Sequence, residues 1–374
     1  MKEPKIAIAH EFLTQFGGAE KTLEAIAEIF TDAPIFTAKY NPKSMPKSIT
    51  EREIIYPKGL FNRISEKLFF LFRMPTIFEN FDFRGYDIIV SSGTTWNKGI
   101  LTKPEQMHIT YIHTPPRFLY KYSQETTKWQ KPFFKPFYSY LVNFIRLWDY
   151  VAAQRPDYIV TNSENTRKRI RKFYGRDAKI IYPPVETNFQ KDDSLKKVET
   201  PYFLAVGRLS KYKNFDLLIK AFNEVKYKLV IVGAGLEENY LKSISGDNIV
   251  FKGRASDEEK DRLLEGCMGL INPVVDEDFG IVPVEAMAHG KPVLAHKSGG
   301  HLETIIEGET GLFFEGEDVK ILSEKLVEFD QMIKNKKFDR EKITEHAQKF
   351  SKEKFKSEFE NFVREKWEEH KKDA

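Results

Sequence analysis

The feature that most constrains this chain is one alternation of short and long segments, run through twice. Short β-branched runs (KIAIAH, APIFTA, DIIVSS, HITYIH, DYIVTNS and KIIYPP) alternate in the first half with amphipathic stretches such as GAEKTLEAIAEIF and ENTRKRIRKFYG. Parallel strands need long crossovers, and strands buried on both faces read as continuous apolar runs, so the pattern predicts a parallel sheet covered by helices. Asn162 or Ser163 is placed to cap the second of those helices, and Gly175 to end it. The stretch YPPVETNFQKDDSLKKVETP then brings prolines and charges without periodicity. Beyond it the pattern restarts. Strands are expected at YFLAVGR, KLVIVGAG, IVFKGR, GLINPV, PVLAH and GLFFEG, with helices near 214–224, 237–245, 257–266, 282–289 and 317–335.

The expected class is α/β, with two doubly wound domains in tandem. The first covers 1–185, a linker 186–200, the second 201–350, and a helix 351–374. Phe355, Phe359, Phe362, Val363 and Trp367 recur at helical spacing, so the last helix should pack on the body, with a course back to the N-terminal domain open to it. A chain of 374 residues suits two cores of this size. In open α/β sheets ligands bind beyond the strand carboxyl ends, so two such domains facing each other would form a cleft.

Composition excludes several classes. The single cysteine, Cys267, forbids an intrachain disulfide and sits at the edge of an apolar run, where a small buried hydrophobe is expected. The apolar run at the N-terminus is too short for a signal peptide, and no stretch approaches the roughly 20 residues of a membrane span. A soluble or peripheral cytoplasmic protein is expected. Net charge is +4 but uneven: residues 1–190 hold 28 Lys and Arg against 19 Asp and Glu, a balance of +9, while the remainder balances at −5. That asymmetry points the first half toward something anionic. No nucleic-acid-binding motif accompanies it.

Four places carry chemistry. After the first strand, Gly17 and Gly18 open a helix, where backbone N–H groups can approach an anion. They lack the G-x-G-x-x-G spacing of dinucleotide sites, so nicotinamide chemistry is not indicated. In VGRLSKYKN, Arg208 follows a strand and Lys213 precedes a helix, a guanidinium and an ammonium suited to clamping a diphosphate. Gly233 and Gly235 stand at the next strand-to-helix turn, which they close. In EDFGIVPVE, Glu277 and Glu285 flank Phe279, Gly280 and Ile281. With Pro283 as the first helical residue the cap would be Val282, which cannot complete a capping box with Glu285. A metal site would need more convergent acids than Asp276 and Asp278 supply, so no metal is expected. Finally, His113 closes a strand before Pro115 and Pro116, placed to hydrogen-bond a substrate or pass protons.

Taken in order, Gly17-Gly18, TNS at 161–163, VGRL…K at 206–213, VGAG at 232–235, EDFGIVPVE and SGGHLETI at 298–305 give a chain that resembles the retaining, nucleotide-sugar-dependent glycosyltransferases of family 4. The resemblance runs over nearly the whole chain and is strongest from 203 to 313. It implies the GT-B fold of two facing Rossmann-like domains, and no metal or cofactor. It further implies that Glu285 holds the donor's ribose and Glu277 the transferred sugar, with Phe279, Gly280 and Ile281 lending main-chain groups. Arg208 and Lys213 would clamp the pyrophosphate, so alanine at either should lower turnover far more than folding. The backbone of Gly253 and Arg254 would line the base, Gly17 and Gly18 would approach phosphate or acceptor, and His113 would sit near the reacting sugar. The stretch YIHTPPRFLY is similar to that of GDP-mannose-dependent mannosyltransferases of surface polysaccharide synthesis. Against the family pattern, His289 replaces a small residue and Leu302 a proline.

The acceptor implied is a glycan or a polyprenyl-linked sugar. Two segments mix cations with aromatics, GLFNRISEKLFFLFRMP and residues 117–148, and such mixtures suit an anionic bilayer surface, here the inner face of the membrane. Packing within the protein is the competing use of those aromatics. A nucleotide-sugar epimerase of the same fold, or a non-catalytic nucleotide-sugar-binding protein, is the alternative to transfer.

Overall fold

A computed structural model of the chain describes residues 3–58, 68–120, 135–189 and 201–373. The chain forms two compact units, one of residues 1–184 with 353–374, the other of residues 185–352.

The first unit is built on a seven-stranded, wholly parallel sheet. Its strands are β1 (Ile6–His10), β2 (Ile35–Thr37), β3 (Ile54–Ile55), β4 (Ile88–Gly93), β5 (Met107–Ile112), β6 (Tyr158–Thr161) and β7 (Lys179–Ile180). The order β3-β2-β1-β4-β5-β6-β7 reverses between β1 and β4, which is the switch point of a doubly wound sheet. β3 is the one strand that sequence pattern did not announce, since two residues carry no period. Helix Glu164–Tyr174 begins at Ser163, whose hydroxyl accepts from the Thr166 amide, and ends at Gly175 with φ +66°. Both ends lie where the sequence puts them.

Helix Lys352–Asp373 belongs to this first unit. Phe355, Phe359 and Val363 are buried in the core that holds Ile8, Val90, Ile109 and Tyr111, with Phe362 and Trp367 half-buried beside them. The helical spacing of apolar residues therefore marks its core face, as expected.

The second unit repeats the architecture with six parallel strands. These are β8 (Phe203–Val206), β9 (Leu229–Val232), β10 (Ile249–Gly253), β11 (Leu270–Asn272), β12 (Val293–His296) and β13 (Gly311–Phe314). Their order, β10-β9-β8-β11-β12-β13, is the Rossmann order, with its switch point between β8 and β11. Val185, expected as the last residue of the first domain, and residues 186–189, expected as linker, are tied to the end of this unit. The Val185 amide donates to the Phe350 carbonyl at 3.1 Å, and Thr187 Oγ1 donates to Gln348 Oε1 at 2.9 Å. The rest of the expected linker, 190–200, lies outside the described residues. Cys267 is buried, and burial pushes its thiol up to about 12, as befits an apolar packing residue.

Candidate active site

In the second unit the candidate residues stand on the segments that follow the strands' carboxyl ends, Glu285 on the helix that begins there. The loop after β8 carries Arg208 and Lys213, and it is set by the turn after β9. The Gly207 amide donates to the Val232 carbonyl at 2.9 Å, the Leu209 amide to Ala234 at 3.1 Å, and the Glu237 amide back to Leu209 at 3.1 Å. A Cβ on Gly233 would run into the Gly207 carbonyl, and one on Gly235 into that of Leu209. Those glycines do more than close their own turn, because they let the two loops lie backbone to backbone. Arg208 is then left exposed, with no ion pair among the described residues.

The loop after β11 carries Glu277, and it rests on Ser298-Gly299-Gly300. The Asp276 amide donates to Ser298 Oγ at 2.8 Å, and the Gly300 amide to the Glu277 carbonyl at 2.8 Å. A Cβ on Gly299 would strike Glu277, and one on Gly300 would strike Phe279. Phe279 is buried, its ring edge-on to Phe350 at 5.5 Å, so it anchors the loop by its side chain. Gly280, at φ +95°, caps helix Ile281–Ala288. The helix thus starts two residues earlier than Pro283 suggested, which makes Gly280 rather than Val282 the cap and Glu285 the fifth helical residue. Glu285 is still no capping residue.

The two loops meet across the switch point. Lys213 Nζ donates to Glu277 Oε2 at 2.7 Å, with both side chains largely buried. Burial opposes the ammonium's charge, but Glu277, Tyr212 and Asp278 outweigh it and hold the Lys213 pKa above its ordinary value. Glu285 is buried and accepts from Lys260 Nζ at 2.7 Å. Lys260 carries no sequence signal, lying 25 residues away within the charged run DEEKDR. Behind the loop, His301 Nδ1 donates to the His296 carbonyl at 2.9 Å, and burial holds its pKa down at about 4. Gly253, at φ +71°, and exposed Arg254 stand at the end of edge strand β10, where the Gly253 carbonyl accepts from the Gly233 amide at 2.7 Å.

The first unit holds the remaining candidates. Gly17 caps helix Gly18–Ile29, but its amide donates to Glu20 Oε2 at 2.9 Å. The chain's own carboxylate therefore occupies the anion-binding position there, and a phosphate reaching Gly17 would have to displace it. Glu11, which sequence reasoning missed, accepts from the amides of Thr95 and Trp96 and so ties the loop after β1 to the loop after β4. His113 lies just past β5, its Nε2 3.0 Å from Ser92 Oγ. Burial, with His10 nearby, lowers its pKa to about 3.

Among the described residues no group of three or more His, Cys, Asp or Glu side chains is arranged to hold a metal ion, and no helix is long and apolar enough to cross a membrane.

Two Rossmann-like units, the second with cations and carboxylates meeting at its switch point, define the GT-B class of glycosyltransferase. Residues 186–350 match the family described as glycosyl transferases group 1, and residues 16–189 match Glycosyltransferase Family 4. The chain belongs to the family 4 glycosyltransferases. Among curated relatives, the alpha-1,3/1,6-mannosyltransferase ALG2 of Dictyostelium discoideum is 24% identical over 372 residues, covering 83% of this chain and 86% of the relative. The GDP-Man:Man(3)GlcNAc(2)-PP-Dol alpha-1,2-mannosyltransferase of Mus musculus is 34% identical over 193 residues, 43% of this chain and 39% of the relative. Among solved structures, the sucrose-phosphate synthase of Thermosynechococcus elongatus superposes with a TM-score of 0.77 over 96% of this chain and 99% of that one, at 18% identity, a likeness of fold.

The depressed histidines set a pH prediction. An ordinary histidine titrates near 6.5, so His113 at about 3 and His301 at about 4 bind their protons more readily in the unfolded chain. Each contributes stability that is complete above pH 6.5 and lost as the pH falls toward its folded value, by about 1.4 kcal/mol per pH unit and histidine. Urea unfolding should show stability falling between pH 6.5 and 5, with His113→Asn flattening part of the slope. An unchanged slope in that variant would contradict a neutral His113.

Proposed function

We propose that this glycosyltransferase moves a hexose, mannose foremost, from a nucleotide diphosphate sugar to a hydroxyl of a glycan or lipid-linked acceptor, with retained configuration and without a metal ion. The observation that carries the reading is the meeting of Lys213 and Glu277 across the β8/β11 switch point, with Arg208 exposed on the same loop as Lys213. Mannose is supported by the Dictyostelium relative, a mannosyltransferase by name, and a GDP carrier by the mouse relative, whose name specifies GDP-Man.

In this reading Glu285 receives the ribose hydroxyls and Glu277 those of the sugar. The backbone at Phe279, Gly280 and Ile281 steadies sugar and phosphate, and the backbone at Gly253 and Arg254 lines the base. Arg208 and Lys213 meet the diphosphate. As the bond from the anomeric carbon to the diphosphate oxygen breaks, negative charge grows on that oxygen, and the two cations stabilise it more in the transition state than before. That is the service a metal would otherwise give. The acceptor hydroxyl attacks from the face the diphosphate leaves, its proton passing to a donor phosphate oxygen. Both glutamates are engaged by lysines, which favours gripping over nucleophilic attack or proton transfer. On the first unit, a neutral His113 suits hydrogen bonding to a hydroxyl, and Gly17 and Gly18 belong to the acceptor's side.

The ion pair separates the two cations' expected behaviour. Arg208→Ala should lower kcat about 10²- to 10³-fold and leave the melting temperature in place. Lys213→Ala should lower kcat comparably and also lower the melting temperature, because it removes the lysine partner of Glu277 in a largely dry site. Slow hydrolysis of GDP- and UDP-linked hexoses by wild type and variants measures this. Full hydrolysis by Arg208→Ala would refute the clamp.

Contact with an anionic membrane, on the cytoplasmic face, is the second part of the proposal. Of the two mixed segments, residues 59–67 and 121–134 lie outside the described residues. Along helix Lys135–Ala152 the apolar residues divide. Leu141, Val142 and Ile145 are core, while Tyr140, Phe144 and Leu147 are 76%, 55% and 65% exposed at helical spacing, continued by Tyr150 and Val151. An apolar stripe on a unit carrying net positive charge suits a lipid surface. The protein should float with vesicles containing anionic lipid at low salt, less so for Phe144→Ser/Leu147→Ser. No flotation of the wild type would exclude this contact.

A further inference from the structure

We propose that Lys260 is a positioning residue of the nucleotide site, holding the Glu285 carboxylate in the orientation that receives the ribose. The proposal rests on the reading that Glu285 grips the ribose. Lys260 lies in helix Asp257–Gly266, which Ser256 caps by accepting from the Glu259 amide. Its Nζ donates to Glu285 Oε1 at 2.7 Å and lies 3.2 Å from Asp257 Oδ1. The lysine and glutamate side chains are 13% and 8% exposed. A pair this dry is a poor choice for packing alone, since apolar residues of similar volume would hold two helices at least as well. What it supplies is direction. A carboxylate accepts two neighbouring hydroxyls only when its plane faces them, and a glutamate held at one oxygen loses its freedom to turn away. The helix bearing Glu285 follows β11 and that bearing Lys260 follows β10, so ribose recognition draws on a residue well outside the EDFGIVPVE segment.

The test compares a ribose diol with its absence. Calorimetry on the full chain would give the affinity for GDP or UDP, whichever wild type binds more tightly, and for its 2′,3′-dideoxy counterpart. Wild type should prefer the ribonucleotide by at least about tenfold, the effect expected of hydrogen bonds to a charged group. Lys260→Met should weaken the ribonucleotide about tenfold, leave the dideoxy compound unchanged and so erase the preference, and Lys260→Arg should restore most of it. Lys260→Gln serves the same comparison if thermal melting shows that the methionine variant does not fold. Equal weakening of both nucleotides, which a general field or packing role would give, overturns the proposal, as does a preference that survives intact. Glu285→Gln separates the two readings. If it erases the preference and Lys260→Met does not, the positioning role fails alone. If it keeps the preference, the ribose role of Glu285 fails first.

Discussion

The ion pair between Lys213 and Glu277 is the interaction on which the arrangement of the second unit's candidate site depends. It joins the loops that follow β8 and β11, the two strands at which the sheet order reverses. A charge pair in so dry a place needs good geometry and further partners to offset its desolvation. Here the 2.7 Å contact and the acids nearby keep the lysine protonated despite burial. The backbone is arranged to deliver both ends. Gly233 and Gly235 admit the Arg208 loop from one side, and Gly299 and Gly300 admit the Glu277 loop from the other. Glycines in this unit thus serve loop-against-loop contact, and the candidate side chains ride on loops packed backbone to backbone.

The two units share a topology and differ in what they place at their strand ends. In the second, Lys213 and Lys260 are paired with Glu277 and Glu285, while Arg208 stays exposed. In the first, the charges are turned inward. Glu20 takes the Gly17 amide, Glu11 takes the amides of Thr95 and Trp96, and His113 is neutral against Ser92. In the proposed reading such a surface would meet a hydroxyl-bearing acceptor by hydrogen bonds rather than by charge. That division of labour fits a donor rich in negative charge and an acceptor that presents an alcohol. The first half of the chain also carries the positive balance, and helix Lys135–Ala152 exposes an apolar stripe, on which the proposed lipid contact rests.

Most of the fold was legible because its signals are local or periodic. Buried strands are continuous apolar runs, Ser163 and Gly175 bracket a helix by their own chemistry, and Phe355, Phe359 and Val363 declare a core face by spacing alone. Signals that depend on distant partners were not legible. The start of the helix at Ile281 turns on Gly280 adopting a left-handed conformation, which Pro283 obscured. Lys260 looks like any solvated charge until its helix is laid beside Glu285. Gly17 looked like an open anion site because the reach of Glu20 back to its amide is a matter of rotamer. Arg208 and Lys213 read alike in sequence, yet one is exposed and the other is bound to a carboxylate 64 residues away.

Lys213 and Glu277 are proposed to act on the donor as one unit. The most direct measurement is a double-mutant cycle on kcat/KM for hydrolysis of the nucleotide sugar that wild type turns over fastest, using Lys213→Met, Glu277→Gln and the double variant. Coupled residues should give a double variant much less impaired than the product of the single effects, by an interaction of at least about 1 kcal/mol. Losses that add to within about 0.5 kcal/mol would mean that the two side chains meet the donor independently, and would contradict the account.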